Sequence, residues 1–381
     1  MKKKSNLLHQ NVIRGISMKL FKSAKDITPV SSIASEEYKK NQETLRRLVD
    51  EELASFPEIY QIIGNNPLQV MYDNHYYHAV FMGTILKLNN YQLLARMFIW
   101  IYRVYCGRGF QYNYFQTDLH VWQKVINKVL TKESAWEITA VYKWLIMNHD
   151  DLINLATSDE YRVFSDINMS EINYIFLMYL LQGDYKACLA MAEQYLKEDN
   201  DLTALYLQVF QPCLYEIGRL WEGGQVSVAQ EHLATAIVAR VMLIGSAHAA
   251  DCYMGKAVIV CAPSELHELG VRMVADLLEK DGWQVDFLGA SLPAAELVQY
   301  LQSSSTHFVG IAASMPFNLD SAREGIEAIR QDSVLKKLKI MVGGPAFHHE
   351  EMSWRQMGAD AYAVDGAAAV AIAKKWRSIK G

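Results

Sequence analysis

Residues 256–270 read KAVIVCAPSELHELG, and the architecture of the C-terminal third follows from them. KAVIVCAP is a short, continuously apolar run rich in β-branched residues and closed by Pro263 and Ser264. Such a run is a strand buried on both faces, as in a parallel sheet. A helical pattern, VRMVADLLEKDGW, follows and stops at Gly282. The alternation then repeats: QVDFLGA before PAAELVQYLQSS, HFVGIAAS before LDSAREGIEAIRQD, KIMVGGP before HHEEMSWRQMG, and AYAVD before GAAAVAIAKKWRS. Five strands with intervening helices predict a doubly wound, parallel, Rossmann-like sheet over residues 251–381. Ligands of such a sheet lie at the carboxyl ends of its strands, near the point where strand order reverses.

The loop after the first of these strands carries Glu265, His267 and Gly270, an E-x-H-x-x-G pattern. A histidine there leaves the sheet edge as a pre-aimed metal ligand. Glu265 is placed to bond its other ring nitrogen and raise its basicity. Gly270 lets a bulky group approach the next helix, and Gly343-Gly344 leaves room after the fourth strand. Taken alone, the pattern also fits a surface histidine in a nucleotide-type loop.

Upstream, residues 166–250 read as a four-helix cap. Ser170, Asp184, Asp201 and Ser227 are N-cap residues for four apolar helical segments, and Gly223-Gly224 ends the third. The first is expected to run to about Leu181, the second through Leu196, and the fourth to about Ala249. Short connections make neighbours antiparallel. The last connection reads WEGGQVSVAQEH, with Trp221, then Glu231 and His232 ten and eleven positions on. An aromatic and a carboxylate would face the loop histidine from the cap, an arrangement suited to a flat, metal-centred cofactor gripped from both sides. Without the loop, the same residues are a Trp packing a helix end beside a solvated Glu-His pair.

Residues 41–165 are helical by period and rich in aromatics. Tyr72, His75, Tyr76, Tyr77 and His78 precede Trp100, Tyr102, Arg103, Tyr105, Arg108, Phe110, Tyr112, Tyr114 and Phe115. Rings flanked by Arg and His suit an extended π-chromophore bearing propionates; they suit an aromatic core with rim charges equally. Residues 1–40 read as a flexible leader. Five scattered cysteines, at 106, 188, 213, 252 and 261, argue for reduced thiols and a cytoplasmic setting. A net charge of −5 gives no bulk attraction for nucleic acid or an anionic membrane, although MKKKSNLLHQ is basic. No apolar run approaches the ~18 residues of a membrane span.

On these motifs the C-terminal half, from about residue 169, resembles the cobalamin-binding module of methionine synthase, the methylmalonyl mutases and the CarH-type photoreceptors. That family carries Asp-x-His-x-x-Gly, then Ser-x-Leu, then Gly-Gly. The resemblance implies that His267 ligates cobalt from below, displacing the cofactor's benzimidazole. It makes Glu265 the orienting partner and Gly270, Gly343 and Gly344 the lining of a channel for the benzimidazole tail. Two departures stand out: Glu265 replaces Asp, and Ala312 stands where Ser is expected, with Ser314 as the substitute. The Trp-x9-Glu-His pattern is that of the light-sensing branch. It implies that Trp221 covers an adenosyl group, Glu231 bonds it, and His232 helps hold the cap against its neighbours. Glu222 stands where the CarH-type repressors have a histidine.

A helical domain ahead of this half resembles the photocobilins, which combine adenosylcobalamin with biliverdin. By that resemblance His75, His78, Arg103, Arg108 and Tyr114 contact a bilin. The expected protein is a cytoplasmic light sensor and not an enzyme. It forms a homo-oligomer with a light-dependent state, signals to an unidentified regulator, and binds neither nucleic acid nor membrane directly. The alternative is a corrinoid methyl-carrier of a methyltransferase system.

Overall fold

The computed structural model describes residues 2–158, 169–198, 201–244, 253–347 and 354–378. It divides into two compact units, residues 1–166 with 222–224, and residues 167–221 with 225–381.

Unit 1 is helical: α1 (Lys2–Lys25), α2 (Ser32–Ala54), α3 (Ile59–Ile62), α4 (Leu68–Leu88), α5 (Tyr91–Gly107), α6 (Tyr112–Val129), α7 (Lys132–Met147) and α8 (His149–Thr157). The expected leader is therefore corrected. Its residues form α1 and the start of α2, and Ile13, Leu20, Ala24, Val30, Ala34 and Tyr38 are buried. Ile13, Leu20 and Ala24 share one helical face, and α1 packs on α5 and α8. The density of lysines masked that stripe in the sequence.

Unit 2 begins with α9 (Glu171–Gln182), α10 (Tyr185–Lys197) and α11 (Leu202–Ala204), which runs through a π-helical segment, Leu205–Phe210, into α12 (Gln211–Glu222); α13 (Val228–Val241) follows. Each cap works as the residue types predict. The side chains of Ser170, Asp184, Asp201 and Ser227 accept from the backbone N–H three residues on, and Ser170 and Ser227 form capping boxes with Asn173 and Gln230. The fourth helix ends at Val241, short of the expected Ala249, which lies outside the described residues.

The sheet follows: β1 (Gly255–Cys261), α14 (Leu269–Lys280), β2 (Trp283–Gly289), α15 (Ala294–Ser303), β3 (Phe308–Ala312), α16 (Leu319–Gln331), β4 (Lys339–Gly343), β5 (Ala361–Ala363) and α17 (Gly366–Ser378). All pairings are parallel, in the order β2-β1-β3-β4-β5. The order reverses between β1 and β3, so the loops after those strands border the crevice where ligands of such sheets bind. Cys261, Ala312 and Gly343 pair across in register, which aligns the three strand ends. The helix expected over residues 348–358 is not found where it can be seen. Residues 348–353 lie outside the described residues, and Trp354–Gly358 is a turn.

The helical cap and the sheet domain share a core within unit 2. Met273 and Leu277 of α14 join Phe176, Tyr206, Phe210 and Val238 in one apolar cluster. The Tyr206 hydroxyl, in the π-helical segment, donates to Asp276 Oδ2 at 2.5 Å, and Lys280 pairs with Asp201 at 3.0 Å.

Candidate functional site

The β1–α14 loop turns sharply at its start. Ser264 adopts a left-handed backbone (φ +67°), and the Glu265 N–H donates to the Ala262 carbonyl at 3.0 Å. A non-glycine residue in that region costs energy and persists where surrounding structure fixes it. The fixing contacts are present: the Ser321 hydroxyl donates to the Pro263 carbonyl at 2.7 Å, tying the loop to α16.

That turn buries the Glu265 carboxylate, 1% exposed, while the His267 side chain stays 62% exposed. Glu265 Oε1 accepts from the N–H groups of Leu266 and His267, each at 3.0 Å, and lies 2.5 Å from His267 Nδ1. Oε2 accepts from the N–H groups of Ser314 (2.7 Å) and Met315 (3.0 Å) and from Asn318 Nδ2 (2.9 Å). Burial alone would raise the carboxyl pKa. The hydrogen bond and charge of His267, with the Met315 and Asn318 donors, outweigh it and hold it at about 2. Glu265 is therefore an acceptor only. In turn its hydrogen bond raises the pKa of His267.

This arrangement fixes the imidazole tautomer. In the neutral ring Nδ1 carries the proton given to Glu265, so Nε2 holds the lone pair, and it has no hydrogen-bond partner among the described residues. No group of three or more His, Cys, Asp or Glu side chains that could hold a metal occurs among the described residues. What the loop offers is a single exposed imidazole nitrogen, His267 Nε2.

The glycines divide in a telling way. A Cβ on Gly270 would meet nothing within 4 Å, so nothing among the described residues requires glycine there, and the space beside the ligand loop stays open. By contrast Gly344 (φ +96°) would bring a Cβ to 2.3 Å from the Ala313 carbonyl oxygen, and Gly343 one to 3.3 Å from that of Ala363. Gly344 is thus required by the chain's own turn, and a side chain at Gly343 would be tight.

Glu231 lies in the first turn of α13, where the helix dipole favours a carboxylate. Its charge adds to the rise in the His267 pKa, so the start of α13 and the ligand loop lie within electrostatic reach of each other. Glu231 accepts from Thr235 Oγ1 at 3.0 Å, and His232 Nδ1 lies 3.0 Å from its other oxygen. His232, 75% exposed, thus braces Glu231. Trp221 is half-buried at the end of α12.

Ser314 contributes its backbone N–H to Glu265. Asn318 is the residue sequence reasoning missed. It occupies the N-cap position of α16 yet makes no side-chain cap, and its Nδ2 donates to Glu265. An Asn at a helix start after a strand reads as a cap, and only the fold shows otherwise. Asn318→Ala is expected to destabilise unit 2 by about 2 kcal/mol, since a hydrogen bond to a buried charge is lost. Asn318→Asp, with a carboxylate against Glu265, should cost more. Chemical denaturation of the three proteins checks the order.

The residues expected to hold a bilin are committed within unit 1. His75 Nδ1 lies 2.6 Å from Asp50, and its Nε2 lies 3.0 Å from the Tyr114 hydroxyl and 3.3 Å from Asp118. His78 Nε2 lies 2.9 Å from the Tyr142 hydroxyl, with its ring 4.6 Å from Trp122. Arg103 donates to the carbonyls of Leu155, Ala156 and Ser158 at the end of α8. Arg108 is half-buried, 5.8 Å from the Tyr105 ring centre. His75, His78 and Tyr114 thus pair within the core of unit 1, and Arg103 holds the end of α8. Aromatics at helical spacing faced one another, and the buried polar groups among them had to pair.

Burial pulls the His75 pKa down, but Asp118 and Asp50 outweigh it and the net shift is upward. A raised histidine pKa stabilises below the unfolded value, near 6.5, and the gain is lost as pH rises through the folded value. Thermal unfolding followed by far-ultraviolet dichroism should thus show this contribution fading as pH rises above about 6.5, with the slope reduced in His75→Gln.

Comparison with known proteins agrees with this site. Two models described as B12 binding domain match, one over residues 255–373 and one over residues 176–244. The HTH-type transcriptional repressor CarH of Myxococcus xanthus is 32% identical over 140 residues, covering 36% of this chain and 46% of the repressor. Dimethylamine corrinoid protein 2 of Methanosarcina mazei is 30% identical over 166 residues, covering 42% of this chain and 76% of that protein. The chain thus spans less than half of the repressor and about three quarters of the corrinoid protein. The solved monomethylamine corrinoid protein of Methanosarcina barkeri superposes with a TM-score of 0.47 at 17% identity, covering 54% of this chain and 98% of that one. Fold and site define a cobalamin-binding module of helical cap and parallel sheet. The chain belongs to the B12-binding family.

Proposed function

We propose that the chain is a light-responsive sensor that holds adenosylcobalamin with His267 beneath the cobalt and Trp221 and Glu231 over the opposite face. The observation that carries the reading is Glu231, in the first turn of α13 and within electrostatic reach of the His267 loop. When bound, the cofactor supplies a cobalt–carbon bond that light can break. The chain's own part is to bind, orient and shield. Glu265 keeps the His267 lone pair on Nε2, Glu231 offers an acceptor braced by Thr235 and His232, and Trp221 presents a flat apolar face. Because the cap also packs on α14, its seating would depend on what fills the upper face. The sensor would then signal through a light-dependent homo-oligomer in the cytoplasm, without catalysing a reaction. Biliverdin is proposed as a second ligand, held by the aromatic-rich helices of unit 1. A sharpened, red-shifted band on adding it to the whole chain would support it, and a band equal to that with a carrier protein would remove it.

Trp221→Ala should lower the preference for adenosylcobalamin over methylcobalamin by about tenfold, the scale of one lost aromatic contact. Spectral titration with both cofactors measures it. The second reading, a methyl-carrier, draws on the similarity to the dimethylamine corrinoid protein. It predicts equal discrimination in both proteins, with the same spectrum and elution volume before and after green light. The sensor reading predicts that both change.

A further inference from the structure

The chain's charge is segregated. α1 holds seven basic residues, Lys2, Lys3, Lys4, Arg14, Lys19, Lys22 and Lys25, and no acidic one. Setting these aside from the chain's 37 Lys and Arg leaves 30 against 42 Asp and Glu, a net −12 for the remainder. The overall −5 therefore conceals one strongly cationic helix on an anionic body.

The helix is half used. Its Ile13, Leu20 and Ala24 are buried, and it packs on α5 and α8. Arg14, Met18, Lys22 and Lys25 follow one another at helical spacing along another face, all exposed. Arg14, Lys22 and Lys25 have no ion pair among the described residues, and Lys19 pairs only with Asp151, at 3.3 Å. Two apolar side chains lie exposed among these cations, Met18 at 67% and Val12 at 53%.

We propose that α1 docks the protein on an anionic lipid surface. A phosphate-rich nucleic acid would be met by cations alone and would leave Met18 and Val12 without a partner. A bilayer surface takes both, with headgroups pairing the cations and the acyl boundary accepting the apolar side chains. The anionic remainder of the chain is repelled by the same surface, so docking is confined to α1. No helix among the described residues is long and apolar enough to cross a membrane, so the association is peripheral.

The test is co-sedimentation of the full-length, cobalamin-loaded protein with lipid vesicles. With about 30% phosphatidylserine in ~0.1 M salt, partitioning should exceed that on phosphatidylcholine alone by about tenfold or more, and should vanish near ~0.5 M salt. Arg14→Glu with Lys22→Glu and Lys25→Glu should abolish it without changing the melting curve, since all three side chains are exposed. Met18→Ser should weaken it while leaving its salt dependence unchanged, a readout that survives if the triple variant folds poorly. Equal partitioning on neutral vesicles overturns the proposal, as does no partitioning. So does release of the protein from vesicles by duplex DNA at an equal phosphate concentration.

Discussion

His267→Ala should weaken cobalamin binding by about a hundredfold or more, the scale expected when a ligand rather than its orienting partner is removed. The bound cofactor should show the spectrum of a cobalt without a protein nitrogen beneath it. The fold should survive, because the ring is 62% exposed and its recorded side-chain hydrogen bond is the one to Glu265. Spectral titration of wild type and variant, with thermal melts of both apoproteins, separates the two effects. Unchanged affinity and spectrum would remove His267 from the site.

Glu265 should behave differently, because it serves both the ligand and the fold. Glu265→Ala strands the N–H groups of Leu266, His267, Ser314 and Met315 and the amide of Asn318, and leaves the imidazole tautomer unfixed. Loss of about 3–5 kcal/mol of unit 2 stability is expected, as when one partner of a buried charged network is deleted. Cofactor affinity should fall by about 10–100-fold on top of that. Glu265→Asp is the informative variant. One carboxylate oxygen of Glu265, Oε1, serves the His267 loop and the other, Oε2, serves the loop after β3. A side chain one methylene shorter cannot keep both sets of contacts without moving one loop. We expect Glu265→Asp to cost about 1–3 kcal/mol. A neutral Glu265→Asp would mean that the two loops are free to close up.

The parts of the fold that could be read in advance are those set by local chemistry. Ser170, Asp184, Asp201 and Ser227 each cap a helix because a short polar side chain reaches a backbone N–H three residues on. β1 stood out because both its faces are buried and β-branched residues fill it. Glu265 and His267 were legible because they lie two residues apart on one loop, so their contact is local. Asn318 was not, because it meets Glu265 across 53 residues of chain and only the β1–β3 neighbourhood brings them together. The pairings inside the aromatic cluster of unit 1 were not legible for the same reason. Rings facing a ligand and rings facing each other have one sequence pattern, and His75–Asp50 and His78–Tyr142 are long-range pairs. In α1 the lysines of the exposed face obscured the three buried positions beneath.

The central claim is that a protein histidine, and not the cofactor's benzimidazole, is the lower ligand of cobalt. Electron paramagnetic resonance of the reduced, cobalt(II) form of the holoprotein tests it directly, because each cobalt line is split by the nucleus of the coordinated nitrogen. With protein grown on histidine labelled with nitrogen-15 in the ring, the triplet of the unlabelled sample should become a doublet, and His267→Ala should lose the labelled coupling. A triplet that persists in the labelled protein would show the nitrogen to be the cofactor's own and would contradict the account.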